Sequence, residues 1–264
     1  MIKDELGDRM KSHERVETAR RLDFSLPIYA RIDGRGFSKF TKGMDRPYDQ
    51  RMTDAMVEVT RYLVEKTHAT IGYVQSDEIS LLWQTPNEES EGFFSGKVQK
   101  MVSVLASMAA AKMAVEVRDW EPFCNRLPHF DARVIDLPTK TEAANMMLWR
   151  ANDAKKNATS MACRAYFSAR EMHNKNQEDM INMMAEKGVN FFDFPHQFRH
   201  GTYLRRVSEY RTLTEEERLR IPENHRPDAN TMFVRSAVKE IEVPPFYSVK
   251  NRVEFLFNGV QPIV

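Results

Sequence analysis

Residues 71–83 read Ile71-Gly72-Tyr73-Val74-Gln75-Ser76-Asp77-Glu78-Ile79-Ser80-Leu81-Leu82-Trp83. Two halves rich in β-branched, aromatic and aliphatic side chains flank the polar centre Gln75-Ser76-Asp77-Glu78. Such halves suit a pleated surface, while Ser and Asp favour tight turns. The stretch predicts a hairpin with an acidic tip.

Upstream, Ile28, Ala30 and Ile32 alternate with Tyr29, Arg31 and Asp33, the period of a half-buried strand, and Gly34 and Gly36 break it. Pro47 and Asp49 mark a helix start. Met52, Ala55, Met56, Val59 and Leu63 then recur on one helical face. Downstream, Thr85-Pro86-Asn87 reads as a loop and about Phe93 to Val117 as a long helix. Residues 132–137 read as a strand, and about Thr141 to Met172 as another helix. The order strand, helix, hairpin, helix, strand, helix predicts an α+β fold, a palm-like, ferredoxin-like antiparallel sheet with helices on one face. We divide the chain into a palm core (1–137), a helical part of the same domain (138–209), and a helical and irregular C-terminal extension (210–264). In that extension Thr214 and Glu217 form a capping box. Pro222, Pro227, Pro244 and Pro245 punctuate the rest, and Arg252 to Phe257 reads as a final strand.

The 264 residues suffice for one large domain. Apolar residues make up 42% and charged residues 29%, as in ordinary globular proteins. No apolar run approaches the roughly 20 residues needed to span a bilayer, so no membrane partner is expected. The charged N-terminus shows no secretory signal. Cys124 and Cys163 lack a CxxC spacing and read as buried free thiols in a cytoplasmic protein. The sixteen methionines read as packing. A net charge of +1 neither announces nor excludes nucleic acid, because local patches decide phosphate binding. Residues 150–206 hold ten Lys or Arg against six Asp or Glu. The seven histidines show no metal-binding spacing, and there is no Walker A loop, GxGxxG or GxSxG. Phosphate handling therefore falls to metal ions and basic side chains.

Two carboxylates carry the chemistry. Asp33 ends a strand and is followed by Gly34, where the backbone can approach a ligand closely. A carboxylate beside an exposed carbonyl offers hard oxygen donors for Mg²⁺ and a triphosphate. Taken alone, the dipeptide reads more readily as a turn. Asp77 sits at the hairpin tip, which alone reads equally well as a solvated acidic turn. In a palm the strand and hairpin are neighbours, and Asp33 and Asp77 could share two Mg²⁺ ions roughly 3.5–4 Å apart. Glu78 could be a third ligand or a group behind the ligands. Lys39, Lys42 and Arg46 could hold a triphosphate, or be solvated surface. Arg150, Asp153 and Asn157 share one helical face. Pairing between the first two explains them, and contact with RNA or nucleotide explains the cluster equally.

The chain resembles the tRNA(His) guanylyltransferase family and its bacterial and archaeal-type relatives, the 3′-to-5′ RNA polymerases. The resemblance rests on RIDGRGFSKF at 31–40, YVQSDEISLLW at 73–83, FDARV at 130–134, WRANDAKKN at 149–157 and FRHGTY at 198–203. It implies a polymerase-like palm, with Mg²⁺ held by Asp33, the Gly34 carbonyl and Asp77. It further implies nucleotide contacts from Asp33, Gly34, Arg35, Gly36, Phe37, Ser38, Lys39, Arg46, Ser76 and Asp77. Such enzymes activate a tRNA 5′-monophosphate with ATP, and the 3′-hydroxyl of GTP or another NTP then displaces AMP. They usually act as homotetramers, with tRNA across subunits. Two departures stand out. Ser38 replaces the family's usual His, and Lys155-Lys156-Asn157-Ala158-Thr159 keeps little of the eukaryotic HINNLYNT-like segment beyond Asn157. The second points to the branch that repairs truncated tRNA 5′ ends. Lys155, Lys156 and Asn157 are RNA-contact candidates. The rival readings are a nucleotide cyclase-like palm and a non-catalytic RNA-binding palm. The 149–157 and 198–203 segments argue against the first, the retained carboxylate pair against the second.

Overall fold

The computed structural model describes residues 4–84 and 92–264; the expected loop at 85–87 lies outside them. The elements in chain order are α1 (Glu5–Thr18), β1 (Ile28–Gly34), α2 (Phe37–Phe40), α3 (Gln50–Thr67), β2 (Ile71–Gln75) and β3 (Glu78–Trp83). Then follow α4 (Val98–Val117), β4 (Phe130–Asp136), α5 (Lys140–Arg164), α6 (Gln177–Glu186), α7 (His196–His200), β5 (Thr202–Arg211), α8 (Glu215–Leu219), β6 (Phe233–Ile241) and α9 (Arg252–Asn258).

One antiparallel sheet of six strands, in the order β4-β1-β3-β2-β5-β6, organises the molecule. Its first four strands with α3 and α4 are the expected ferredoxin-like palm. The alternation of β1 decides the layers. Ile28, Ala30 and Ile32 are buried against α3 and α4, together with Met56, Val59, Leu63, Met101 and Leu105. Tyr29 faces the other way, into a second cluster with Ala143, Met147 and Ala151 of α5 and Phe255 and Leu256 of α9. The expected helices on one face are thus α3 and α4. The other face is also covered, because its own side chains, Tyr29, Ile71, Tyr73, Leu82 and Tyr203, are apolar and require burial.

Element ends differ from the sequence reading for local reasons. α4 starts at Val98 rather than Phe93, because Phe94, Ser95 and Gly96 have left-handed φ values of 50°, 49° and 72°. α5 stops at Arg164 rather than Met172. Just beyond it, both the backbone N–H and the hydroxyl of Ser168 donate to the Glu171 carboxylate at 2.7 Å, a local bond that competes with helix continuation. The 252–257 stretch is helix, not strand. Its buried residues, Phe255 and Leu256, are consecutive rather than alternate, and Gly259 at φ 72° terminates it. The capping box at Thr214 and Glu217 is present. The boundary drawn at 209/210 falls within β5, and β6 of the tail pairs along the whole of β5.

By length and composition α4 is apolar enough to cross a bilayer, which corrects the reading that no run approaches that length. Every fourth residue, Met101, Leu105, Ala109, Met113 and Val117, is buried against the sheet and α3. Cys163 is a buried free thiol. Cys124 is only half-buried, and its thiol donates to Glu121.

Candidate active site

Strand alternation puts Arg31 and Asp33 on the α5 side of β1. Asp33 lies directly opposite Glu78 on β3 and opposite Asp131 on β4. The hairpin tip meets the strand end, where the Gly34 N–H donates to the Asp77 carbonyl at 3.0 Å. A Cβ on Gly34 would lie 2.4 Å from Phe37 Cδ2 and 2.8 Å from Asp77 Cβ, so only glycine lets the two segments approach this closely. Ser76 and Asp77 form a two-residue turn between the paired Gln75 and Glu78, with Ser76 held at φ 53°. A non-glycine residue in that region stores strain of about 1–3 kcal/mol, a feature common at functional turns.

The electrostatics separate the three carboxylates. Burial pushes Asp77 up to about 6, and the charges of Asp33 and Glu78 add to the effect. Asp33 is also raised, by burial and then by Asp131. Neither forms an ion pair among the described residues. Glu78 is raised by burial as well, but it is gripped by Arg150: Nε donates to Oε1 at 2.6 Å and a terminal nitrogen bonds Oε2. The same guanidinium bonds Asp153 at 3.0 Å.

Two partly buried carboxylates that repel each other and form no ion pair among the described residues favour a bound cation. Their oxygens are the hard donors Mg²⁺ prefers, so the residues fit the ion. Among the described residues no group of three or more His, Cys, Asp or Glu could hold a metal. The protein therefore supplies a partial shell, of the kind that nucleotide phosphates and water complete.

Beside the tip lies a cavity of about 360 Å³. Phe37, Ser38, Arg46, Ser76 and Asp77, five of the candidate nucleotide contacts, line it. Phe37 is also core, packed on Phe40 and Phe130 with ring centroids 4.9 and 5.0 Å apart. Arg35, Gly36 and Lys39 line a different, shallower cleft with Arg126 and His129. Asp33, Gly34 and Lys42 line neither. Arg150 is only 8% exposed and committed to Glu78 and Asp153, which supports structural pairing over surface contact with RNA. Lys155 lies over the Tyr247 ring at 4.7 Å, and Lys156 and Asn157 are exposed.

Several residues at the site were not singled out from sequence. Arg164 and Gln197 line the cavity although they are 33 residues apart in sequence, brought together by packing of α5 on α7. Asp131 and Trp149 were within stretches already marked. The alternation of β4 against β1 could have placed Asp131 beside Asp33.

A family model described as tRNAHis guanylyltransferase matches residues 7–138. The chain is 32% identical over 150 residues to the tRNA(His) guanylyltransferase of Schizosaccharomyces pombe, covering 53% of this chain and 55% of that protein. A bacterial tRNA(His) guanylyltransferase-like protein solved in complex with ATP superimposes with TM-score 0.72 at 35% identity, over 77% of this chain and 87% of its own. A structure of such a bacterial protein in complex with GTP gives 0.73 at 29% identity, over 96% and 100%.

Proposed function

We propose that this chain, which belongs to the tRNA(His) guanylyltransferase family, adds nucleotides in the 3′-to-5′ direction to the 5′ end of tRNA. In the first step an oxygen of the tRNA 5′-monophosphate attacks the α-phosphorus of ATP, and pyrophosphate leaves. In the second, the 3′-hydroxyl of GTP or another NTP attacks the activated 5′ phosphorus, and AMP leaves.

One observation carries the reading. Asp77, a carboxylate without an ion-pair partner among the described residues, lines a cavity whose walls include Arg46 and Arg164, and it feels the like charge of Asp33 at the adjoining strand end. Asp33, the Gly34 carbonyl and Asp77 would hold two Mg²⁺ ions, which lower the pKa of an attacking hydroxyl and neutralise charge at phosphorus. Arg46 and Arg164 counter triphosphate charge inside the cavity, and Ser76 positions the nucleotide beside Asp77. Arg35 and Lys39, in the neighbouring cleft, offer a second place for phosphate. Similar bacterial proteins solved in complex with ATP and with GTP support nucleotides as ligands.

Segment 1–137 supplies the chemistry, 138–209 the RNA contacts, and 210–264 is an extension added to the same sheet. The excess of basic residues in 150–206, ten against six, becomes a continuous phosphate track when copies assemble into a tetramer. Loss of the eukaryotic-type segment after Asp153 favours repair of tRNA that lacks its 5′ nucleotide over untemplated G addition.

The test is incubation with Mg²⁺, ATP, GTP and 5′-monophosphorylated tRNA, comparing kcat/KM on truncated and full-length tRNA(His). The reading expects AMP transfer followed by nucleotide addition, faster on the truncated substrate. A strong preference for full-length tRNA(His) contradicts the repair assignment. Cyclic nucleotide formation without RNA contradicts the reaction itself.

A further inference from the structure

The α5 side of the β1–β4 ladder carries two like-charged pairs in succession. Asp33 is opposite Asp131, and two residues earlier Arg31 is opposite Arg133. Like charges directly across an antiparallel pair destabilise it. Arg133 approaches Asp131 of its own strand only at 3.8 Å, with its side chain 61% exposed. Arg31 forms no ion pair among the described residues, and its Nε is buried without a hydrogen-bond partner. A cation relieves the first pair. An anion is the natural occupant of the second.

Trp149, on α5, stands over this anion seat. Its ring lies 5.8 Å from the Arg31 guanidinium and 4.5 Å from that of Arg150. It is nevertheless 53% exposed, whereas Trp83 is buried at 4%. The next residue on the helix, Arg150, is locked onto Glu78, directly opposite Asp33. An exposed, rigidly flanked indole beside a guanidinium pair combines the two elements that hold one nucleotide of a single strand: a stacking plane for the base and a cationic clamp for its phosphate.

We propose that Trp149, Arg31 and Arg133 seat the terminal nucleotide of the acceptor RNA, with its base on Trp149 and its 5′-phosphate between the arginines, next to Asp33. The inference deepens the reading above by assigning the RNA end to the α5 face, separate from the cavity behind Ser76.

A 5′-monophosphorylated RNA stem with one unpaired terminal nucleotide is titrated into the full chain while tryptophan emission is followed. Stacking on Trp149 quenches the wild type. Trp149→Ala loses that component, and its KM for RNA rises by roughly 5- to 150-fold, the range of one base–aromatic stack. KM for ATP stays unchanged, and Trp149→Tyr restores RNA binding. Arg133→Gln weakens the phosphorylated stem but not the same stem with a 5′-hydroxyl. Equal quenching and equal KM for RNA in wild type and Trp149→Ala overturns the proposal, as does an Arg133→Gln effect that ignores the 5′-phosphate. If the wild type transfers no nucleotide yet RNA still quenches Trp149, the seat stands and the reaction assignment falls.

Discussion

Asp77 and Glu78 are consecutive, equally charged and mostly withdrawn from water, yet they sit in opposite circumstances. Glu78 begins β3 and is bound at both oxygens by the buried Arg150. Asp77 sits in the strained two-residue turn, where the Ser76 hydroxyl donates to it at 3.2 Å beside its own backbone N–H, with no cationic partner among the described residues and with Asp33 as a like-charged neighbour. One carboxylate is completed by the fold and the other is left for something outside it. A buried ion pair of the Glu78 kind contributes chiefly position, here tying α5 to the hairpin. An unneutralised carboxylate destabilises the fold, and is expected where a ligand supplies the missing charge.

The largest effect expected from this contrast is on the reaction. Asp77→Asn and Asp33→Asn each lower AMP transfer to tRNA by at least about 1,000-fold, because each removes a charge that holds the ions. Label incorporation from ATP at saturating Mg²⁺ measures it. Glu78→Gln does the reverse, acting on stability first. It leaves Arg150 buried with Asp153 as its one carboxylate, a loss of about 3–5 kcal/mol for a broken buried pair. Pairing it with Arg150→Met recovers most of that loss in denaturant unfolding, because no buried charge is then left over.

The β1 strand and α3 were legible because each follows one period and is bounded by Gly34 or Asp49, and the 71–83 hairpin because two β-rich halves flank the turn Ser76-Asp77. The second layer was not. α5 buries Ala143, Ala144, Met147, Ala151, Ala154 and Ala158, mostly alanines, which signal a close helix–sheet approach only once the sheet is known. β5 and β6 lack clean alternation because their outer halves leave the core, with Tyr210 73% and Val234 58% exposed. At the site, Asp33 and Asp77 could be paired from strand and hairpin logic. Arg150 as the partner of Glu78 depends on a contact across 72 residues that no local pattern encodes.

A smaller effect concerns pH. The Asp77 carboxyl is raised from an ordinary value of 3.8 to about 6 in the folded chain. The folded state therefore holds the proton more tightly than the unfolded state between these limits. In metal-free protein this group makes stability fall as pH rises from about 4 to about 6, by up to about 3 kcal/mol, and the decline levels off above that window. Asp77→Asn flattens this part of the profile in metal-free thermal unfolding. Glu78→Gln removes only the smallest of the causes that raise Asp77 and leaves most of its contribution in place.

The smallest expected effect lies far from the tip. Lys155→Glu with Lys156→Glu weakens tRNA binding more than GTP binding. Each lost phosphate contact flattens the slope of log K against log salt by roughly 0.7–0.9. Titrations at several salt concentrations measure it; an unchanged slope removes these lysines from the RNA track.

The contrast between the neighbouring carboxylates is tested most directly by titrating Mg²⁺ into nucleotide-free protein at pH 7 and following thermal unfolding. A ligand that binds only the folded state raises its stability by RT ln(1 + [L]/Kd). The wild type and the Glu78→Gln, Arg150→Met double variant should gain stability with rising Mg²⁺, while Asp33→Asn and Asp77→Asn should gain none. Equal gains in all four proteins would contradict the assignment of Asp33 and Asp77 as the cation seat.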